Sequence, residues 1–320
     1  SVLVSLGSLS AIAQGYFPLH FPRNGKSSKT GCSRQLDGRI DAGIIDPRNG
    51  RPPKGKGGNL TIETRTLSLR NGAEVFAQTT GEGDAGKIFI RANESVNVTG
   101  ISTGSLERQR TSKITASASE TSTGNGGSLT IETPLLNVAE GGFISSSSDG
   151  KGIAGDINIS GDITRLNNGK IIAQTASTDG GDINFNLSQY LLLRNGSQIS
   201  TTAGTAQAGG NGGNITINTP FIVAAPNENS DITANAFSGA GGNINIFTQN
   251  IFGINSRLKP SPQTNDITAS SELGVQGQIE IQQPEVQPTQ ELIQLPNEFI
   301  DASTKFSQIC PTDPQPETFR

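Results

Sequence analysis

The chain has 320 residues, of which 32% are hydrophobic, 5% aromatic and 16% charged, with 40 glycines and a net charge of −4. Glycine brings the apolar share near that of an ordinary domain but buries no side chain, which excludes a large two-layer core. The low charge excludes a solvated, charge-rich disordered chain.

Charge is unevenly spread: residues 1–56 carry nine Lys/Arg against three Asp/Glu, a balance of +6, and the rest carries −10. A basic leader of this kind reads as solvated, and an acidic body with scattered charges offers no footprint for nucleic acid. Cys32 and Cys310 are the only cysteines, too few for a disulfide framework or a zinc site. The absence of Met reads as an interior piece of a longer protein. No apolar run approaches the ~18 residues of a membrane helix.

In chain order, Ser1 to Gln14 has the look of a signal peptide but lacks the basic start that such a segment needs. Val2–Ala11 lines up instead with Leu191–Ser200, so residues 1–15 read as the second half of a repeat. Residues 16–56 sustain no periodicity; they hold the single histidine, His20, and Pro52-Pro53, and read as an irregular insertion.

From Gly57 onward a unit recurs over 57–282. Its opening is GGNLTIET at Gly57, AGKIFIRA at Ala85, GGSLTIET at Gly126, AGDINISG at Ala154, GGDINFNL at Gly180, GGNITINT at Gly212 and GGNINIFT at Gly241, with a weaker QGQIEIQQ at Gln276. A fixed opening at varying intervals means one structural unit with loops of different length. Each unit holds three short apolar segments. The first alternates, as in Leu60/Ile62 and Ile183/Phe185, which places both apolar residues on one face. The second is Leu67/Leu69, Val96/Val98, Leu136/Val138 and Leu191/Leu193, with Phe221/Val223 and Ile251/Gly253 as looser copies. The third pairs a large residue with a small one, as in Val75/Ala77 and Ile114/Ala116.

Strands this short are unstable alone. Stacked in parallel on their counterparts, they form three sheets around a narrow interior: an all-β, right-handed parallel β-helix with three short strands per coil, rising ~4.8 Å per coil. The glycine pairs and the Asn-Gly steps are expected to supply positive-φ corners. A β-sandwich would not require the same three-strand order in every unit. Beyond Gln282 the pattern ends. Residues 283–320 are Pro-rich at first; then Phe299, Ala302, Phe306 and Ile309 fall at helical spacing, predicting a short helix that caps the last coil.

The units GGNITINTP, GGDINF and LLLRNGSQIS resemble the repeats of large exoproteins of the filamentous haemagglutinin type, above all the cyanobacterial passengers of two-partner secretion. Leu295–Cys310 is similar to the segment that closes those chains. The family's amino-terminal secretion domain and its Gly-Arg-Gly-Gly-Leu-Pro-Pro-like ending have no counterpart here, so the resemblance covers Val2–Gly15 and Gly57 to about Cys310. It implies a secreted, surface-associated rod that contacts cells or surfaces, exported through an outer-membrane transporter, with a cell-surface receptor or glycan as partner.

Candidate chemistry is sparse. His20 lies outside the repeats, and no nucleophile–base set can be built around a coil. Polysaccharide lyases and hydrolases occur on parallel β-helices, so a carbohydrate-active enzyme is the alternative; such sites need acids clustered on one outward face. The outward residues of segment one are instead Thr61, Phe89, Thr130, Asn158, Asn184, Thr216, Asn245 and Glu280, which read as a hydrogen-bonded ladder. Asp156 and Asp182 follow glycine pairs, but the long period favours turn chemistry over calcium binding. No cofactor or metal is expected, and the Asn-x-Ser/Thr sites follow from the repeat itself.

Two loops between segments two and three, with Arg108 and Arg110 in one and Arg257 and Lys259 in the other, suggest an adhesive rim or tolerated insertions. The outward residues of segment two change from Ser68, Asn97 and Asn137 to Leu192, Ile222 and Phe252, an apolar stripe that needs a cover. Tail residues Leu292, Ile293, Leu295 or Phe299 are the expected cover; a bare stripe would be a partner site.

Overall fold

A computed structural model describes residues 3–6, 10–14, 34–36, 39–42, 54–102 and 109–284. These residues form strands and turns and no helix. Asn59–Arg70, Ile88–Thr99, Leu129–Ala139, Ile157–Asn167, Ile183–Arg194, Ile215–Asn218, Ile244–Phe247 and Ile279–Gln282 pair in parallel, each with the next. A second sheet stacks in the same order, from Arg39–Asp41 and Glu74–Phe76 through Lys113–Thr115 to Asp266–Thr268. The molecule is a parallel β-helix.

The expected three segments are present, but the first two run together. Up to Ile183–Arg194 they form one strand bent in the middle; beyond it, Phe221–Ala224 and Asn250–Phe252 stand as strands of their own. There are therefore two sheets, and a third row consists only of single parallel bridges such as Thr79–Ala118–Ser148–Thr175. In four coils a threonine sits at the bend, where Ala92, Gly161 and Leu187 stand in three others. The hydroxyls of Thr64, Thr133, Thr219 and Thr248 donate to the carbonyl two residues on, at 3.2, 3.4, 3.5 and 3.2 Å. Such a local bond diverts the backbone from a straight strand.

The glycine pairs work differently from the expectation. None of them has positive φ; that conformation falls on Asn71-Gly72, Glu140-Gly141 and Asn195-Gly196 at the other corner. The second glycine of each pair is needed because successive coils touch there. A Cβ on Gly86, Gly127, Gly155, Gly181, Gly213 or Gly242 would run into the carbonyl oxygen of its counterpart one coil earlier.

Two parts of the first 56 residues also differ. Arg39–Asp41 lies in the stretch read as irregular, yet it pairs in parallel with Glu74–Phe76. Ile40 and Ala42 are buried like Val75 and Ala77, so this is a copy of the third segment. Leu3–Leu6 and Ser10–Gln14 pair antiparallel with Leu67–Arg70 and Asn59–Glu63. That is the opposite sense to a repeat half; it pairs the first edge of the sheet, which would otherwise invite further strands.

The core is a set of inward columns. One runs Ile62–Ile90–Ile131–Ile159–Phe185–Ile217–Ile246, all buried. Thr164 interrupts another, between Leu136 and Leu191, and its Oγ1 is buried with no hydrogen-bond partner. A buried hydroxyl left unpaired costs free energy that an isosteric methyl does not. Thr164→Val is expected to raise stability by about 1 kcal/mol, read as a higher urea midpoint at unchanged slope. A lower midpoint would mean that the hydroxyl has a partner in solution.

Candidate functional site

Segment two carries the most apolar outward surface. Leu192 stacks on Val223 and Val223 on Phe252; beside them Tyr190 stacks on Phe221. Phe221 is 37% and Phe252 51% exposed, and Leu192 is half-buried. The expected stripe is thus present, with one correction. Ile222 points inward, pairs with Leu191 and is fully buried; Val223 takes its place outside. Phe221-Ile222-Val223-Ala224 is apolar throughout, so alternation alone cannot say which face is which. Stacking decides it, because small Ala224 fits inside on Leu193. Earlier in the same column stand Ser68, Asn97, Asn137 and Arg165, as the change from polar to apolar predicts. Arg165 bounds the patch: its Nε donates to Tyr190 Oη at 2.9 Å, and its guanidinium lies 5.5 Å from the Tyr190 ring centroid. The tail residues expected to cover the patch, the capping helix, His20, Cys32, Cys310 and Arg108 lie outside the described residues.

Residues 103–108 of the first loop lie outside the described residues, so only its ends can be placed. Arg110 is exposed, and its backbone pairs with Ser102, next to the bridge Ile101–Thr111. In the second loop Asn255–Ser256 pairs with the edge of Asp266–Thr268, so the loop covers the end of the second sheet. Arg257 serves that purpose. Its Nε lies 2.7 Å from Oδ1 of the fully buried Asp266. Asp266 also accepts from Ser261 N at 2.6 Å and Thr264 Oγ1 at 2.8 Å. Below it, burial pushes the Asp231 carboxyl up; the Asp266 amide that it accepts pulls the other way, and the Asp266 charge adds to the rise. Lys259 is exposed. Sequence reasoning missed Asn265, buried at 3% exposure. Its Oδ1 accepts from Ser230 N, and its Nδ2 donates to Ala225 O and Gly253 O, each at 2.7 Å.

The Thr/Asn ladder of segment one lies as expected, with Asn184 Nδ2 donating to Asn158 Oδ1 at 3.1 Å. Asp156 and Asp182 act in turns: Oδ1 of each accepts the amide one coil later, from Asp182 and Asn214. Among the described residues no three His, Cys, Asp or Glu side chains gather as metal ligands. At the corner after segment two, the Glu228 carboxyl is lowered to about 2, first by the hydrogen bonds from Arg194 and then by the Asn195 amide.

The bend between segments one and two is concave outside. One groove of about 380 Å³ is lined by Arg91, Asn93, Glu132, Pro134, Ser160 and Asp162. A second, of about 540 Å³, occupies the same bend in later coils, between Leu187, Asn218, Pro220, Phe247, Gln249 and Gln282. Nothing in the sequence reading located them, because a furrow needs neighbouring coils to make its walls. The chain matches no family model, no curated protein and no solved structure.

Proposed function

We propose that this chain is part of a secreted or surface-associated rod that mediates contact with cells or surfaces and carries no catalytic centre. The patch of exposed Phe221 and Phe252 beside half-buried Tyr190 carries this reading, since large exposed apolar patches mark interaction sites. The resemblance of the repeats to haemagglutinin-type exoproteins supports it from the sequence. On that basis an outer-membrane transporter handles export, and the partner is a cell-surface receptor or glycan.

The test is adhesion of beads coated with the purified chain. Replacing Tyr190, Phe221 and Phe252 together by Ser removes three surface aromatics without touching the core. Bead retention on cells should fall about tenfold or more, as expected when aromatic anchors are lost, with an unchanged circular dichroism spectrum. Equal retention would end the reading.

A second reading, a carbohydrate-active enzyme, is favoured by Glu132 and Asp162 lining one groove. Both carboxylates are engaged, Glu132 with Arg91 at 2.7 Å and Asp162 with the Ser188 hydroxyl at 2.6 Å. New reducing ends released from a neutral polysaccharide would favour it over the adhesive one.

A further inference from the structure

We propose that the bend of the β-helix is a binding groove for a linear, uncharged polysaccharide lying along the rod axis. The inference does not depend on the aromatic patch, which occupies the face beyond the bend.

The two grooves lie in line along the bend, in successive coils. Thr133 pairs with Gly161 and Gly161 with Leu187, which joins the wall of the first to the wall of the second. From Asn93 to Gln282 the furrow crosses successive coils, each adding about 4.8 Å. A compact ligand would fill one stretch; only a polymer would use the whole.

The lining matches the two sides of a sugar ring. Sugar rings offer hydroxyls around the rim and C–H groups on the face. Asn93, Ser160, Asn218, Gln249 and Gln282 bring amides and a hydroxyl that both donate and accept. Pro134, Pro220 and Phe247 bring flat apolar faces, and Phe247 is 41% exposed. A mostly apolar surface with a few placed polar groups is the usual composition of a ligand site. Phe247 stands in the outward column that otherwise reads Glu63, Arg91, Glu132, Ser160, Asn186, Asn218 and Gln282, all polar, where the repeat has no packing need for an aromatic.

Charge selects among polymers. Arg91 pairs with Glu132, and Arg65 with Glu94 at 2.6 Å. The guanidinium groups along the bend are thus already matched by carboxylates, and Asp162 adds a further negative charge. Among the described residues lining the grooves a uronate or sulfated polymer would meet no free cation, on a chain of net charge −4.

The experiment is calorimetric titration of the full chain with cello-oligosaccharides and chito-oligosaccharides of increasing length, with polygalacturonate as the anionic control. Affinity should rise with the length of at least one neutral series and be absent for polygalacturonate. The double variant Asn218→Ala/Phe247→Ala should bind about tenfold more weakly or worse. Lys170→Ala, an exposed outward position of the second sheet away from both grooves, should bind as the parent does. Both variants alter exposed outward positions, and an unchanged thermal transition will show that they fold. Failure of both neutral series to bind, equal binding of polygalacturonate, or full affinity in the folded double variant would each overturn the proposal.

Discussion

Gly127→Ala is expected to destabilise the coil stack by roughly 2–4 kcal/mol, whereas Gly209→Ala leaves it unchanged. The difference lies in what the new methyl meets. At Gly127 it would drive into the Gly86 carbonyl, which belongs to a backbone turn and has no rotamer to change. At Gly209 the nearest atom outside its chain neighbours is the Ser238 hydroxyl, 4.0 Å away. The repeat itself points the same way. Ala85 and Ala154 stand at the first place of their pairs, while the second place is glycine in every opening from Gly58 to Gly277. Because each coil touches only its neighbours, moving the turn apart weakens the two adjoining interfaces of a nearly one-dimensional stack. Urea unfolding followed by circular dichroism measures it. Equal midpoints for Gly127→Ala and the parent would mean that the coils can separate at the turn without loss, against the close contact described above.

Asn265→Ala should cost roughly 2–4 kcal/mol, with the damage concentrated at the loop end of the coil stack. The side chain satisfies the buried Ser230 amide and ties it to the carbonyls of Ala225 and Gly253; alanine removes all three bonds and leaves the buried amide without a partner. The strand that follows begins at Asp266, which holds Arg257 and the Ser261 amide. The loop and the last turn of the second sheet should therefore open together. Hydrogen exchange is the direct readout: protection should fall for Ile254–Thr268 and persist for Leu129–Ala139. Lys259→Ala, an exposed change in the same loop, is the control. If Asn265→Ala and Lys259→Ala exchange alike, the loop is held by other contacts.

Much of the architecture was legible because its causes are local. Alternation in Leu129-x-Ile131 or Ile215-x-Ile217 sets one face inward whatever the coil above does, and the glycine-led openings mark where each coil begins. The Thr/Asn ladder followed directly, since residues at equal places in successive units must stack. Ile40-x-Ala42 was also visible, as a copy of Val75-x-Ala77, but the proline-rich surroundings hid it. Threonines stand two places after four of the alternating pairs, at Thr64, Thr133, Thr219 and Thr248; only coordinates showed that their hydroxyls bond the carbonyl two residues on.

The candidate site was legible only in part. Phe252 and Leu192 were found as outward residues, and Ile222 was misplaced by one position. A one-residue slip reverses every side chain, and a run that is apolar on both faces contains nothing to forbid it. Arg257 looked like a free cation in a loop; its partner Asp266 is near in sequence, but the pairing depends on how the loop folds over the sheet end.

The amino-acid sequence by itself determined that this chain stacks: its segments are too short and too one-sided to bury an apolar face in any other way. Only the tertiary structure decided which side chains face outward in segment two, what the second loop is for, and that a furrow runs along the bend. Those features are made by atoms from neighbouring coils, and the intervals between units vary too much for one coil's sequence to say what lies beside it in the next.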